Sequence, residues 1–232
     1  MTIASDEYKS QVGLDSLYIA EVTADSSTEY TAETPSFLAP AAEASQEPTV
    51  NSTMQYADDT AFDTMVSEGE TKVALTITNL PIETLAKITG KRFDSTTGRL
   101  YDTSGTPPYC ALMFRSKKSN GKYRYYAFLK GRFDVPKEAM KTDGEKSEPQ
   151  TVQITYTAIR TTHKFTVASG VTEGVKRVVG DEDTASFSAA NWFATVQVPG
   201  VASISALALS SSVPLDDATA VDKAANITLT FN

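Results

Sequence analysis

GTPPYCALMFRSKKSNGKYRYYAFLKGRFDVP, residues 105–136, has the form of two strands around a polar turn. The first, over 109–116, is apolar on both parities, with Tyr109, Ala111 and Met113 set against Cys110, Leu112 and Phe114. That is the pattern of a strand covered on both faces. The second, over 122–134, alternates. Tyr123, Tyr125, Ala127, Leu129 and Phe133 fall on one side, and Arg124, Lys130 and Arg132 share the other with Tyr126 and Phe128. Asn120-Gly121 supplies the positive φ of a tight turn between them. The remaining elements are expected to pack on this hairpin.

The chain of 232 residues is 41% hydrophobic, enough for one large β domain, or one domain and an appendage. Its longest apolar runs fall far short of a membrane span, and the first ten residues are polar and acidic. Neither a transmembrane helix nor a signal peptide is therefore expected. Cys110 is the single cysteine, so no internal disulfide can form. Its place in an apolar strand predicts a buried free thiol made in a reducing compartment.

The net charge of −8 is unevenly spread. Residues 1–90 hold three Lys/Arg against fifteen Asp/Glu, residues 91–180 hold seventeen against eight, and residues 181–232 hold one against six. Between 103 and 133 there are seven basic residues and no acidic one. An acidic half and a basic hairpin can complement each other within a subunit or between copies. The plainer account is solubility and a solvated basic face.

Along the chain, residues 1–11 read as a polar arm and 17–23 as a strand. Residues 24–36 read as a loop, and 37–44 as a short strand interrupted by Pro40. Residues 45–70, SQEPTVNSTMQYADDTAFDTMVSEGE, are long, polar and acidic, yet studded with Met54, Tyr56, Phe62, Met65 and Val66. Loops of this length are uncommon in compact domains. The segment is read as an extended excursion that docks on a neighbouring copy. The competing reading pairs 50–56 with 61–67 in a hairpin folded back on its own domain. Residues 71–79 form a half-buried strand with Val73, Leu75 and Ile77 inward. A short helix follows, opened by Pro81 and stopped by Gly90. Ile82, Leu85, Ala86 and Thr89 make its inner face, and Glu83 and Lys87 form an i,i+4 pair. A small hairpin is centred on Gly98. Beyond the organising hairpin, 137–149 reads as an exposed loop, 151–166 as a strand broken near Thr161-Thr162, and 170–183 as a charged loop. Residues 188–198, with Trp192 and Phe193, read as a cap on the core. From 201 small residues dominate, with strand-like runs over 206–210 and 227–231.

The chemistry-bearing residues are sparse. With one histidine, His163, and one cysteine, a His/Cys-rich zinc site is excluded. No G-x-S-x-G, G-x-G-x-x-G or G-x-x-x-x-G-K-[ST] occurs. Asp58-Asp59 and Glu68/Glu70 lack the surrounding loop of a calcium site. Acidic residues are too common in the first ninety positions for a carboxylate pair to be diagnostic of glycoside hydrolysis. The basic hairpin with Tyr123, Tyr125 and Tyr126 has the ingredients of a single-strand binder. The acidic pI of about 4.8, and the ordinary use of tyrosine in strands, favour a structural reading. No catalytic residue, cofactor or metal is assigned.

Several blocks, in order, carry a resemblance: KSQVGLDSLYIAEVT, FLAPAAEASQEP…NSTMQYADD, SEGETKVALTITNLPIETLAKITGK, TPPYCALMFRSKKSNGKYRYYAFLKGRF and TYTAIRTTHKF. Together, over roughly 8–198, they resemble the major tail tube proteins of long, non-contractile-tailed bacteriophages of Gram-positive hosts. The end, SSSVPLDDATAVDKAANITLTF, resembles the first strands of a bacterial immunoglobulin-like domain. The resemblance implies a mainly β fold, a β-sandwich or split barrel with one short flanking α-helix and a long extended loop. It implies a tail tube domain over 1–200, with an N-terminal arm (1–16) and an inter-ring loop (45–70). Residues 201–232 would be a linker and an incomplete immunoglobulin-like segment. It further implies no catalysis, six-membered rings stacked into a tube, and DNA passing through the lumen without specific binding. The implied partners are other copies of the chain, tape measure protein, and tail terminator and tip proteins, with no membrane. Assembly in the host cytoplasm and residence in the virion tail follow. Candidate contacts between copies are Met54, Tyr56, Phe62, Met65 and Val66 in the loop and Arg115, Lys117, Lys118, Lys122 and Arg124 on the basic hairpin. The alternative function is a surface-exposed carbohydrate- or protein-binding β-sandwich adhesin.

Overall fold

The basic hairpin lies at the centre of a nine-stranded antiparallel sheet. The computed structural model describes residues 9–57, 59–137, 151–168 and 170–200, with the backbone of 209–213 and 228–231. The chain begins with β1 (Gln11–Asp25), β2 (Tyr30–Ala32), β3 (Ser36–Phe37), β4 (Ala41–Ala57) and β5 (Thr60–Ile77). It continues through α1 (Ile82–Thr89), β6 (Arg92–Asp94), β7 (Arg99–Tyr101), β8 (Cys110–Lys118) and β9 (Tyr123–Phe133). Then come β10 (Val152–Ala158), β11 (Lys164–Ala168), β12 (Val171–Gly174), β13 (Arg177–Asp181), β14 (Leu209–Val213) and β15 (Thr228–Phe231). The main sheet runs β2-β1-β8-β9-β10-β5-β4, with β3 added to β1 and β13 to β9. The architecture is the mainly β one expected, with one short helix among the described residues.

β1 and β4 stand five places apart in that order, yet they touch. The sheet therefore curls until its ends meet across a cleft of about 260 Å³. Inside the curl lie Leu17, Leu75, Ile77, Leu112, Phe114, Phe128 and Tyr156, all at most 2% exposed. Each such side chain contributes about 1.5–3 kcal/mol relative to an exposed one. On the other face of β8 and β9, Met113, Tyr125 and Ala127 are covered by Trp192, Phe187 and Phe193 from residues 184–200. This cap explains why β8 is apolar on both parities.

A bulge in β9 sets the rest. Between the Cys110↔Gly131 and Leu112↔Phe128 pairs the register slips by one residue. A one-residue slip exchanges the two faces of a strand. Phe133 consequently joins Tyr126 and Phe128 in the inner core, not the Tyr125 side expected from simple alternation. The outer edge of β9 is also divided there. β13 pairs with Arg124 to Phe128, and β10 with Gly131 to Phe133. Gly131 is needed for close approach, since a Cβ at this position would lie 2.4 Å from the Tyr156 ring. The Tyr156 hydroxyl donates to the Cys110 carbonyl at 2.7 Å in the same spot.

Other boundaries differ from expectation for identifiable reasons. Residues 11–16 belong to β1 rather than to an arm, paired with β8 as far as Gln11↔Lys118. Ser16 sits at φ 58 in a register shift, and that irregularity hides the alternation. The rest of the expected arm, 1–8, lies outside the described residues, as does most of the 137–149 loop. Pro40 separates β3 from β4 instead of interrupting one strand. Residues 170–183 form β12 and β13, not a loop. The strand over 151–166 divides into β10 and β11 at the break expected near Thr161-Thr162.

In α1, Gly90 adopts φ 69 and its N–H donates to the Ala86 carbonyl, as a C-terminal stop requires. The buried residues are Ala86, Ile88 and Thr89, whereas Ile82 is 46% exposed. Lys87 does not pair with Glu83; its ammonium meets Glu33 at 2.9 Å and Glu21 at 4.0 Å. The two strands near the end, β14 and β15, pair with each other.

Candidate assembly surface

β4 and β5 form one continuous hairpin, from the Ala41↔Ile77 pair to Ala57↔Thr60. β10 supports β5 only over Thr71 to Ile77. Beyond that point, among the described residues, the two strands are paired only with each other. The segment expected as a long extended loop is thus a regular two-stranded ribbon. Its strands pair as the competing reading had them, but they project instead of folding back. Asp59 at φ 60 supplies the positive φ of its turn.

Directly opposed residues share a face. Val50, Ser52 and Met54 face the same way as Glu68, Val66 and Thr64, while Asn51, Thr53 and Gln55 share the other face with Ser67, Met65 and Asp63. The first face carries most of the aliphatic side chains. Phe62 is 75% exposed, Tyr56 68%, Val66 65%, Met65 61%, Val50 58% and Met54 56%. A two-stranded ribbon is marginal in water alone, and free strand edges invite further pairing. Exposed apolar groups in such a cluster mark an interaction surface.

The root of the ribbon is tied to the body. Lys176 Nζ donates to Glu68 Oε1 at 2.5 Å and to the Gly69 carbonyl at 2.9 Å. Arg177 Nη1 donates to Gln46 Oε1 at 2.7 Å. These bonds fix the angle at which the ribbon leaves the sheet. Between the root and β12–β13 lies an open groove of about 600 Å³.

The basic hairpin is engaged differently from expectation. Lys118 is 1% exposed, its ammonium held between Asp181 at 2.5 Å and Asp183 at 2.6 Å. Lys122 reaches Asp183 at 2.9 Å, and Arg124 reaches Asp181 at 2.7 Å. Glu182 accepts from the Tyr125 hydroxyl and the Tyr123 N–H, both at 2.8 Å. Arg115 pairs with Asp15 and lies 4.2 Å from the Tyr123 ring centroid. Of the two complementarities that composition allows, these four cations take the one within the subunit. Lys118 in particular is an internal ion-pair member, too buried to meet a neighbour. Lys117 is exposed on β8. Acidic residues 181–183 are far from the hairpin in sequence, so no local pattern pairs them with it; β13 brings them there.

Burial opposes the charge on Asp181, but the Lys118 ammonium and its other donors outweigh it and hold the carboxyl below its ordinary value. The Lys118 and Lys122 ammoniums do the same for Asp183. Asp25 follows the first pattern, with burial outweighed by Lys130 and by the N–H groups of Thr162 and His163. All three bind a proton less readily in the folded chain, so acid favours unfolding. The stability they supply is complete above the unfolded carboxyl value and is lost as pH falls through the lower folded values. Urea midpoints are expected to hold steady down to about pH 5 and to fall steeply below about pH 4. A flat profile to pH 2 would contradict the linkage.

Cys110 is buried and unpaired, as expected, and burial pushes its thiol up to about 12. His163 packs edge-on against Phe165 with ring centroids 4.6 Å apart. Among the described residues, no three His, Cys, Asp or Glu are grouped to hold a metal. None of the described helices is long and apolar enough to cross a membrane.

Comparison with known proteins decides the family. The sequence profile described as phage tail tube protein matches residues 49–203, from the ribbon through β13 to the Trp192 cap. The chain belongs to the phage tail tube protein family. Members of this family are structural components of the virion tail, not enzymes, and the adhesin reading gives way to that membership. No curated protein matches the chain. Among solved structures it is similar to the anti-feeding prophage cap, a tube-terminating cap determined by cryo-EM, with 9% identity and a TM-score of 0.40. That match covers 78% of this chain and 99% of the other.

Proposed function

We propose that this tail tube family member polymerises as stacked rings, six copies to a ring, into the tube of a long non-contractile tail of a Gram-positive host's phage. DNA leaves the virion through its lumen. The observation that carries this reading is the β4–β5 ribbon, with six large apolar side chains exposed and, among the described residues, no third strand beyond Thr71. Such a ribbon is completed by a second copy. Met54, Tyr56, Phe62, Met65 and Val66 are its contact residues, and Lys117 and Lys122 are exposed cations of the basic hairpin. Acidic side chains line the bore, where they repel phosphate and withhold the counterion release that drives DNA binding. Tape measure, terminator and tip proteins close the two ends. We read β14 and β15, which pair antiparallel, as strands of an immunoglobulin-like segment. Assembly takes place in the host cytoplasm.

Electron microscopy of the concentrated, purified chain tests this. Rings or tubes of uniform bore with sixfold symmetry are expected. A chain that stays monomeric at high concentration, while the virion's tail shaft contains another polypeptide, would overturn the reading.

A further inference from the structure

The groove at the root of the ribbon has a chemistry opposite to that of the ribbon's tip. Phe128 and Val175 line it, Val50 and Val66 contribute an apolar wall, and Arg160, Lys176 and Arg177 supply cations. The Arg177 guanidinium lies 5.9 Å from the Phe128 ring centroid. Two carboxylates, Glu68 and Glu173, also line the groove, and Glu68 is engaged by Lys176. The tip carries the complement. Asp59 and Asp63 are exposed there beside Phe62 and Tyr56. Seven strand residues separate Val50 from the turn at Ala57, or about 23 Å. With its root pinned by Lys176 and Arg177, the ribbon cannot bring its own tip back to its own groove.

Resting on the assembly reading above, we infer that the tip of one copy's ribbon seats in the root groove of the next copy, with Phe62 over Val175 and the Val50–Val66 wall and Asp63 against Arg160. The occupant is a second copy because the complementary tip is present on every chain and unreachable within one. The contact joins unlike surfaces, so each copy gives one tip and receives one. Heterologous contacts of this kind leave an open end and propagate, as stacking along a tube requires. Lys176 and Arg177 then have a second task, since the bonds that pin the ribbon also hold two groove cations in place before the tip arrives. Preformed sites lose less freedom on binding.

Two arms test the inference. In the first, Phe62→Cys and Val175→Cys are combined and the assembled material is oxidised. Cys110 is buried with a weakly acidic thiol and does not compete. A ladder of disulfide-linked multimers is expected from the double variant and none from either single variant. In the second, R160E and D63K are each expected to raise the critical concentration for polymerisation about tenfold or more, and their combination to recover most of the loss. Circular dichroism and urea unfolding of each variant establish that it is folded. Tubes without a ladder, or a charge swap that restores nothing, would overturn the groove assignment and leave the tube function standing. If the cysteine pair blocks assembly, the charge swap decides alone. Failure of the unaltered chain to polymerise would instead overturn the function itself.

Discussion

A chain lacking residues 51–67, with Val50 joined to Glu68 through an Asn-Gly turn, is expected to fold normally and form no tubes at all. The removed residues pair only with one another, and the body begins where β10 takes up β5 at Thr71. Unfolding free energy should therefore stay within about 0.5 kcal/mol of the intact chain. Assembly is another matter. Five of the six large exposed apolar residues leave with the ribbon, and burying what they expose contributes about 1–2 kcal/mol each. Sedimentation and electron microscopy read the outcome. Tubes from the shortened chain would remove the ribbon from any part in assembly. A shortened chain that unfolds would show that the ribbon supports its own domain.

Lys118→Met is expected to destabilise the fold by about 3–5 kcal/mol near neutral pH. The substitution removes a buried ammonium and leaves Asp181 and Asp183 facing each other, with Lys122, Arg124, Asn120 and the Asp183 N–H left to answer them. The penalty comes from uncompensated charge, not lost volume. Adding Asp181→Asn and Asp183→Asn should recover a large part of it. Urea unfolding at two pH values separates the causes. Below about pH 3 the carboxyls of the single variant are protonated, and its deficit against the parent should narrow. An unchanged deficit would mean that packing, not charge, sets the cost.

The central hairpin is legible because its signals are local. Asn120-Gly121 fixes the turn, and the two-sided apolar pattern of 109–116 announces cover on both faces. The helix between Pro81 and Gly90 is legible for the same reason. What the residues conceal is irregularity. The bulge between Cys110 and Leu112 on one strand, and Phe128 and Gly131 on the other, shifts Phe133 across the sheet, and its one mark in the residue types is the isolated Gly131. Ser16 hides the start of β1 in the same way. The candidate surface divides likewise. Spaced apolar residues in a polar stretch picked out Met54, Tyr56, Phe62, Met65 and Val66, all of which stand exposed on the ribbon. The engagement of Lys118, Lys122 and Arg124 escaped notice because their partners lie about sixty residues away and arrive only through β13. The root groove, built from β4, β5, β9 and the β12–β13 segment, has no contiguous signature either.

The separation of ribbon from body has an evolutionary consequence. Side chains beyond Val50 and Glu68 do not help to hold the curled sheet together, so exchanges among them leave the thermodynamics of the isolated chain almost untouched. On the proposed assembly, selection on those positions reads only the fit to another copy. A lineage can therefore retune which subunits accept one another, and exclude those of a co-infecting relative, without endangering the scaffold on which the ribbon is mounted.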